Sequence, residues 1–342
     1  MRSRKNKTRW ILRLIGPLLF IALVIGRINI GEALNVASNA RIGLLVIAIF
    51  VFPLPIPLRA WRWKLLMDKY AIHYDWSDAL VFYLVGYAGQ FFLPTGLGDS
   101  IRIFYLVEDG YPVGKSFVTI LWDKSFEIAT TLLFGLLGAF VFPAFLELDQ
   151  RTLALFLLAF VLPAFIVIGF RHRAQRKISQ IARSYLSKQA HKIALSVTSD
   201  LINDFRRIRV VEIGIFLLMS LGIGFIHYFS FFMITLSLGL DLSLVQVLAT
   251  MGVMGLAINV PFFSISIGGI GVRDGALLVL VTALGKSAEA AIALSVLILF
   301  TSALWHVVAL GAWLKRPVSV NEIMRRVRTT AKQRPNLDHP QI

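Results

Sequence analysis

The 342-residue sequence contains no cysteine. Disulfides, thiolate metal sites and cysteine nucleophiles are therefore excluded, and the composition carries no mark of redox compartment. Charge is also scarce: Asp, Glu, Lys and Arg make up 16% of the chain, where soluble domains carry about a quarter. No HExxH, GxSxG, phosphate-loop or dinucleotide-binding pattern occurs, so nothing supports hydrolytic, nucleotide-driven or redox chemistry, and neither a cofactor nor a metal is expected. Acidic residues are the rarer sign, 19 against 35 Lys and Arg, for a formal net charge of +16. What abounds is apolar: 57% hydrophobic residues and a mean hydropathy of +0.74. A chain with so thin a polar coat is a membrane protein. Its basic excess must be sorted by side of the membrane before it is read as attraction to nucleic acid.

A hydrocarbon core of about 30 Å takes about 20 apolar residues per helical crossing. Such runs fall at 11–26, 42–58, 118–142, 152–170, 212–238 and 289–314. The first follows Arg2, Arg4, Lys5, Lys7 and Arg9, as a signal peptide would, but lacks a small-residue cleavage site and is expected to be a retained first helix. Two further stretches, 79–117 and 243–285, are apolar but broken by Pro and Gly. The basic residues sort by loop: six lie in 2–13, four in 59–69, ten in 171–209 and seven in 315–334, together 27 of the 35. The positive-inside rule places these segments, and with them both termini, on the cytoplasmic side of the membrane. No nucleic-acid partner is then needed to explain the charge. The loop 171–209 reads as an amphipathic membrane-surface helix, and 317–342 as a basic, disordered tail.

Parity constrains the broken stretches. Between the basic segments 59–69 and 171–209, the spans 118–142 and 152–170 already return the chain to its starting side, so 79–117 should enter from the cytoplasm and leave by the same face. Between 209 and 315 the spans 212–238 and 289–314 do the same, which leaves 243–285 to re-enter from outside. The expected fold is thus all-α and polytopic, with six full spans and two re-entrant hairpins of opposite sense over a transmembrane domain of residues 1–316. That is the plan of transporters with a midplane site.

The hairpins resemble each other. The first reads Gln90-Phe-Phe-Leu-Pro94-Thr-Gly96-Leu-Gly98-Asp99-Ser-Ile-Arg102, and the second Asn259-Val-Pro261-Phe-Phe-Ser-Ile-Ser-Ile-Gly268-Gly269-Ile-Gly271-Val-Arg273-Asp274. Non-helical backbone survives at membrane depth only inside protein or against a wet cavity, so glycine tips there imply a cavity. Free N–H groups, a helix start and Arg102 or Arg273 would suit a phosphate. Asp99 and Asp274 would steady the arginines or carry protons. The plainer reading is that the glycines only break helices and the Arg/Asp pairs neutralise each other. Early in the span 118–142, Asp123 and Glu127 share a helical face and Lys124 can reach Glu127. They are either an interfacial ion-pair cluster or countercharges of the same cavity that pair with Arg102. Arg59, Trp61, Arg62 and Trp63 read as cations and aromatics at the headgroups, and His227 and His306 as satisfied core histidines.

Taken in order, these motifs resemble the lysylphosphatidylglycerol synthetase transmembrane-region family, also called the flippase-like domain family. The match rests on Arg59-x-x-Arg62-Trp63, Leu93-Pro94-x-Gly96-x-Gly98-Asp99-x-x-Arg102, Asp123-Lys124 and Gly268-Gly269-x-Gly271-Val272-Arg273-Asp274, across residues 10–316. Gln90 stands where many relatives carry Asn, and Lys124 where Arg is commoner. The resemblance implies lipid movement or binding. The synthetases' soluble aminoacyl transferase domain is not expected, since only residues 315–342 follow the last span. The expected function is ATP-independent translocation of a lipid or lipid-linked anionic headgroup, with anionic phospholipid or lipid-linked phosphate as partner. An intramembrane lipid-modifying enzyme, or a subunit of a lipid or glycan biosynthetic complex, is the alternative. Either is compatible with a homo-oligomer or a biosynthetic enzyme partner.

Overall fold

The computed structural model describes residues 35–92, 97–142, 207–259 and 271–315. Their ordered elements are all helical: α1 Ile42–Val51, α2 Pro55–Lys69, α3 Trp76–Phe92, α4 Leu97–Glu108, α5 Val113–Leu136, α6 Gly138–Val141, α7 Val210–Ser237, α8 Leu244–Asn259, α9 Val272–Ala283 and α10 Ala288–Lys315. The expected spans 11–26 and 152–170, the loop 171–209 up to residue 206 and the tail 317–342 lie outside the described residues.

Four helical segments are long and apolar enough to cross a membrane: Ile42–Lys69, Val113–Val141, Val210–Ser237 and Ala288–Ala312. At about 1.5 Å per residue each exceeds the hydrocarbon thickness of about 30 Å. The first is two helices in line. Pro53 and Pro55 lack the N–H groups that would continue the ladder of α1, and Pro55 instead opens α2, where its missing donor is harmless. Apolar side chains such as Phe50, Leu218, Phe300 and Val307 face outward on these spans, as lipid contact requires.

The two Pro- and Gly-broken stretches are helical hairpins. Helices α3 and α4 pack against each other, as do α8 and α9. Their members have 17, 12, 16 and 12 residues, about 18 to 26 Å each, too short to cross alone. The core explains where they sit. One buried cluster joins Trp63, Leu66 and Met67 of α2, Phe82 of α3, Tyr105 of α4, the start of α5 at Val118 and the start of α7 at Phe216. The other joins Ala48 of α1, Phe142 just after α6, Ile234 near the end of α7, Leu248 and Met251 of α8, Leu277 of α9 and Leu294 of α10. The four long segments therefore run between two ends of a bundle, α1–α2 and α10 in one direction, α5–α6 and α7 in the other. The first hairpin belongs to the end carrying Lys69 and Arg209, and the second to the opposite end.

Between helices in lipid the hydrophobic effect gives little, so close backbone approach must supply dispersion contact. Helix α8 lies on α5 through Gly252, whose added Cβ would stand 2.4 Å from Gly135 N and Phe134 C. The hairpin α3/α4 closes through Gly98, where a Cβ would meet the Gln90 backbone nitrogen at 2.3 Å. By contrast, Gly222 on α7 has nothing within 4 Å of such an atom. Gly252→Ala is expected to lower stability by about 1–3 kcal/mol, since backbone must move. Gly222→Ala should be neutral or stabilising by up to about 1 kcal/mol, a contrast that thermal unfolding in detergent would read directly.

Candidate functional site

Helix α5 organises the charged residues. Asp123, wholly buried, points into the junction of α2, α4 and α5. Arg62 of α2 donates to its Oδ1 from Nε at 3.1 Å and Nη2 at 2.6 Å, and to its backbone carbonyl at 3.2 Å. The remaining Nη1 of Arg62 donates to Ser220 Oγ on α7. Arg102 of α4 donates to the other oxygen, Asp123 Oδ2, at 3.0 Å, and from Nη2 to Asp99 Oδ1 at 3.1 Å. Asp99 Oδ2 receives Lys124 Nζ at 2.7 Å and Gln90 Nε2 at 3.0 Å. Lys124 also holds Glu127 Oε2 at 2.7 Å, and Glu127 Oε1 lies 3.6 Å from Arg59 Nη1. The Arg102 guanidinium is also flanked by the Tyr83 and Trp63 rings, with centroids at 4.3 and 4.8 Å. Signs thus alternate from Arg62 to Arg59 through seven side chains. Four are cations and three are carboxylates, a net charge of +1.

At the other end Asp274 caps α9. Its Oδ2 accepts the Gly271 N–H at 2.8 Å, and its Oδ1 accepts Arg273 Nε at 2.9 Å and the Ser295 hydroxyl of α10. Gly271 sits at φ +94°, a left-handed conformation that a side chain would strain.

A cavity of about 260 Å³ lies between the two ends. Tyr87 and Gln90 reach it from α3, and Ile258 and Arg273 from the second hairpin, so both hairpins converge on one space. Arg59, Lys124 and Glu127 line it from α2 and α5, His227 and Tyr228 from α7, and Ser302 and His306 from α10. The His306 ring stacks on Tyr87 at 4.0 Å and places Nδ1 2.7 Å from the Ser302 carbonyl. Thr130 also lines the cavity, and its buried hydroxyl has no hydrogen-bond partner among the described residues. Among the described residues no group of three or more metal-ligating side chains gathers.

Several expected site residues change role here. Arg62 and Trp63 were expected at the headgroups, but both are buried: Arg62 because Asp123 and Ser220 use its donors, Trp63 because it packs beside Arg102 and donates to Thr119. Trp61 faces outward at 48% exposure, beside Trp76. Arg59 turns to the cavity. Arg102 does not line the cavity and spends its donors on Asp99 and Asp123, so it positions other groups rather than offering a free phosphate clamp. Asp99 is likewise enclosed. The two histidines, expected as satisfied core residues, pack on Phe52 and Phe231 (His227) and on Tyr87 (His306, bonded to Ser302), and both also line the cavity. Pro94, Gly96, Pro261, Gly268 and Gly269 lie outside the described residues, as does the side chain of Asn259. No ion pair links Asp99 or Arg102 to Arg273 or Asp274 among the described residues. Thr130, Ser220, Tyr87 and Ser302 went unread in sequence. A signal existed in the polar stripe Ser220, His227 and Tyr228 of α7 and in Ser295, Ser302 and His306 of α10, each at helical spacing inside an apolar span.

A cation-bearing cavity among lipid-facing helices and two short hairpins defines a helical multi-pass membrane protein with a polar interior. The chain belongs to the family of the lysylphosphatidylglycerol synthase transmembrane region, whose model matches residues 10–311. That family is membrane-associated and related to lipid handling. No curated protein and no solved structure matches the chain.

Removing one partner of a buried ion pair leaves its counterpart uncompensated, at about 3–5 kcal/mol. Asp123→Asn leaves Arg62 with no carboxylate among the described residues and Arg102 with Asp99 alone, and should destabilise by about that much. Lys64→Ala breaks only the part-exposed pair with Asp68 at 2.7 Å and should cost under about 1 kcal/mol. Melting temperatures of the two variants in one detergent provide the comparison.

Proposed function

We propose that the protein carries an anionic lipid headgroup, a phosphodiester or a lipid-linked phosphate, through this cavity and across the bilayer without ATP. The supporting observation is the convergence of Arg59, Lys124 and Arg273, from three separate helices, on one cavity inside a lipid-facing bundle. Charge-assisted hydrogen bonds from such groups suit phosphate oxygens, and the Thr130 hydroxyl adds a donor that no group among the described residues uses. The space is at the small end of ligand pockets, enough for a headgroup, so the acyl chains would remain in lipid. On this reading the hairpins are re-entrant from opposite faces, with the basic end cytoplasmic. Alternate loosening of one end of the bundle or the other would expose the cavity to each leaflet.

The experiment is lipid movement in reconstituted vesicles. Acyl-labelled fluorescent phosphatidylglycerol is followed by dithionite quenching of the outer leaflet. Loss of one charged hydrogen-bonding partner, about 1.5–3 kcal/mol, should slow movement about 10- to 100-fold in Arg59→Ala and in Arg273→Ala, with each variant's fold checked by its melting temperature. Flux at the wild-type rate in both variants would overturn the proposal.

A further inference from the structure

We infer that Glu127 is an internal stand-in for the substrate anion, and that its displacement couples movement of the anion to uptake of one proton. The inference rests on the lipid-headgroup reading of the cavity and adds a driving force to it.

The three carboxylates of the charged cluster are not alike. Asp99 and Asp123 are 1% and 0% exposed, and each is bound by two or more donors from separate positions. Neither lines the cavity. Glu127 does, and its side chain is 28% accessible. Its two cations, Lys124 and Arg59, are also cavity-lining and part-accessible. The Arg59 link, at 3.6 Å, is longer than a direct hydrogen bond. An anion that engages Lys124 and Arg59 must therefore compete with Glu127 for them, and Glu127 is the carboxylate free to leave.

What happens next follows from the charges around it. On its own helix Glu127 has Lys124 and Asp123. Helix α2 presents Arg59 and Arg62, α4 reaches it through Asp99 bound to Lys124, α7 presents His227 and Tyr228, and α9 presents Arg273. Helix α3 gives Tyr87 and Gln90, and α10 gives His306 and Ser302, while α8 gives only Met251, Met254, Gly255 and Ile258. With Glu127 ionised the seven-member cluster carries +1. A monoanionic phosphodiester bound beside an ionised but displaced Glu127 would set two anions against the same two cations, in a low-dielectric space where like charges repel strongly. A proton on Glu127 removes that conflict, and cluster plus anion again sum to +1. Glu127 takes the proton from water on the loading side. It returns the proton to water on the other side when the anion leaves and Lys124 and Arg59 recover their carboxylate. Anion and proton thus cross together, without net charge. Thr130, one helical turn along α5 from Glu127, has its hydroxyl in the same cavity, without a partner among the described residues, as a donor for the incoming oxygen.

The test uses full-length protein in vesicles with acyl-labelled phosphatidylglycerol, whose phosphodiester stays monoanionic around neutral pH, and an imposed gradient of one pH unit. The reading is the equilibrium distribution of label between leaflets, which does not depend on protein orientation. One proton per lipid should give about a tenfold excess in the leaflet facing the alkaline side. Glu127→Gln should show a ratio of about one. Wild-type protein that moves lipid quickly but leaves the ratio at one overturns the coupling while leaving the transport reading intact. A tenfold excess retained in Glu127→Gln overturns the assignment to this residue. If Glu127→Gln moves no lipid, Glu127→Asp must restore both movement and asymmetry, and its failure to do so overturns the inference. Gradient-driven uptake of inorganic phosphate without lipid movement supports the coupling and overturns the lipid reading beneath it.

Discussion

The structure depends on Asp123. One carboxylate, fully buried, ties α2 through Arg62 and α4 through Arg102 onto α5. Two guanidinium groups inside a low-dielectric bundle are expensive unless each meets a carboxylate in good geometry, and Asp123 gives each of them one oxygen. Ser220 extends the network to α7 and Asp99 extends it to Lys124. The first hairpin is fixed by this junction as much as by apolar packing, because Arg102 and Asp99 both sit on its second helix.

That junction decides which charges remain for function. Arg102, Asp99 and Asp123 satisfy one another away from the cavity, and Arg62, which lines it, spends its donors on Asp123 and Ser220. Lys124, Glu127 and Arg59, at the end of the same chain of ion pairs, face it. A structural network thus shades into the lining of the cavity along α5, over about one helical turn. Close contacts at Gly252 and Gly98 complement it by letting α8 lie on α5 and α4 on α3. Tyr87 and Gln90 of the first hairpin and Ile258 and Arg273 of the second thereby line the same cavity as the polar stripes of the long helices.

Much of this was legible in the sequence. Length and hydropathy located the four described spans, since about 20 apolar residues have one physical solution in a bilayer. Pro and Gly clusters marked the two hairpins, and i,i+3 spacing gave the pairing of Lys124 with Glu127. The reading of Arg59, Arg62 and Trp63 as a headgroup belt failed in an instructive way. Sorted only by sequence position, they looked like one more basic loop, yet α2 extends to Lys69 and carries Arg62 inward. Hydropathy ends a span at the first charge and cannot know that a carboxylate on another helix awaits it. That the histidines also border a cavity was hidden for a related reason: a lone His in an apolar run looks like core until the neighbouring helices leave a space beside it.

By itself the sequence determined that the protein is helical, that it lives in a membrane, where its described spans fall and which residues could bear charge within them. Those properties follow from transfer free energies and helical periodicity, which are local. Tertiary structure alone decided which charges cancel and which remain open to a ligand. Asp123 and Arg62 are 61 positions apart and Ser220 lies 158 beyond Arg62; only their approach to within hydrogen-bond distance, set by how the helices pack, makes them a buried brace.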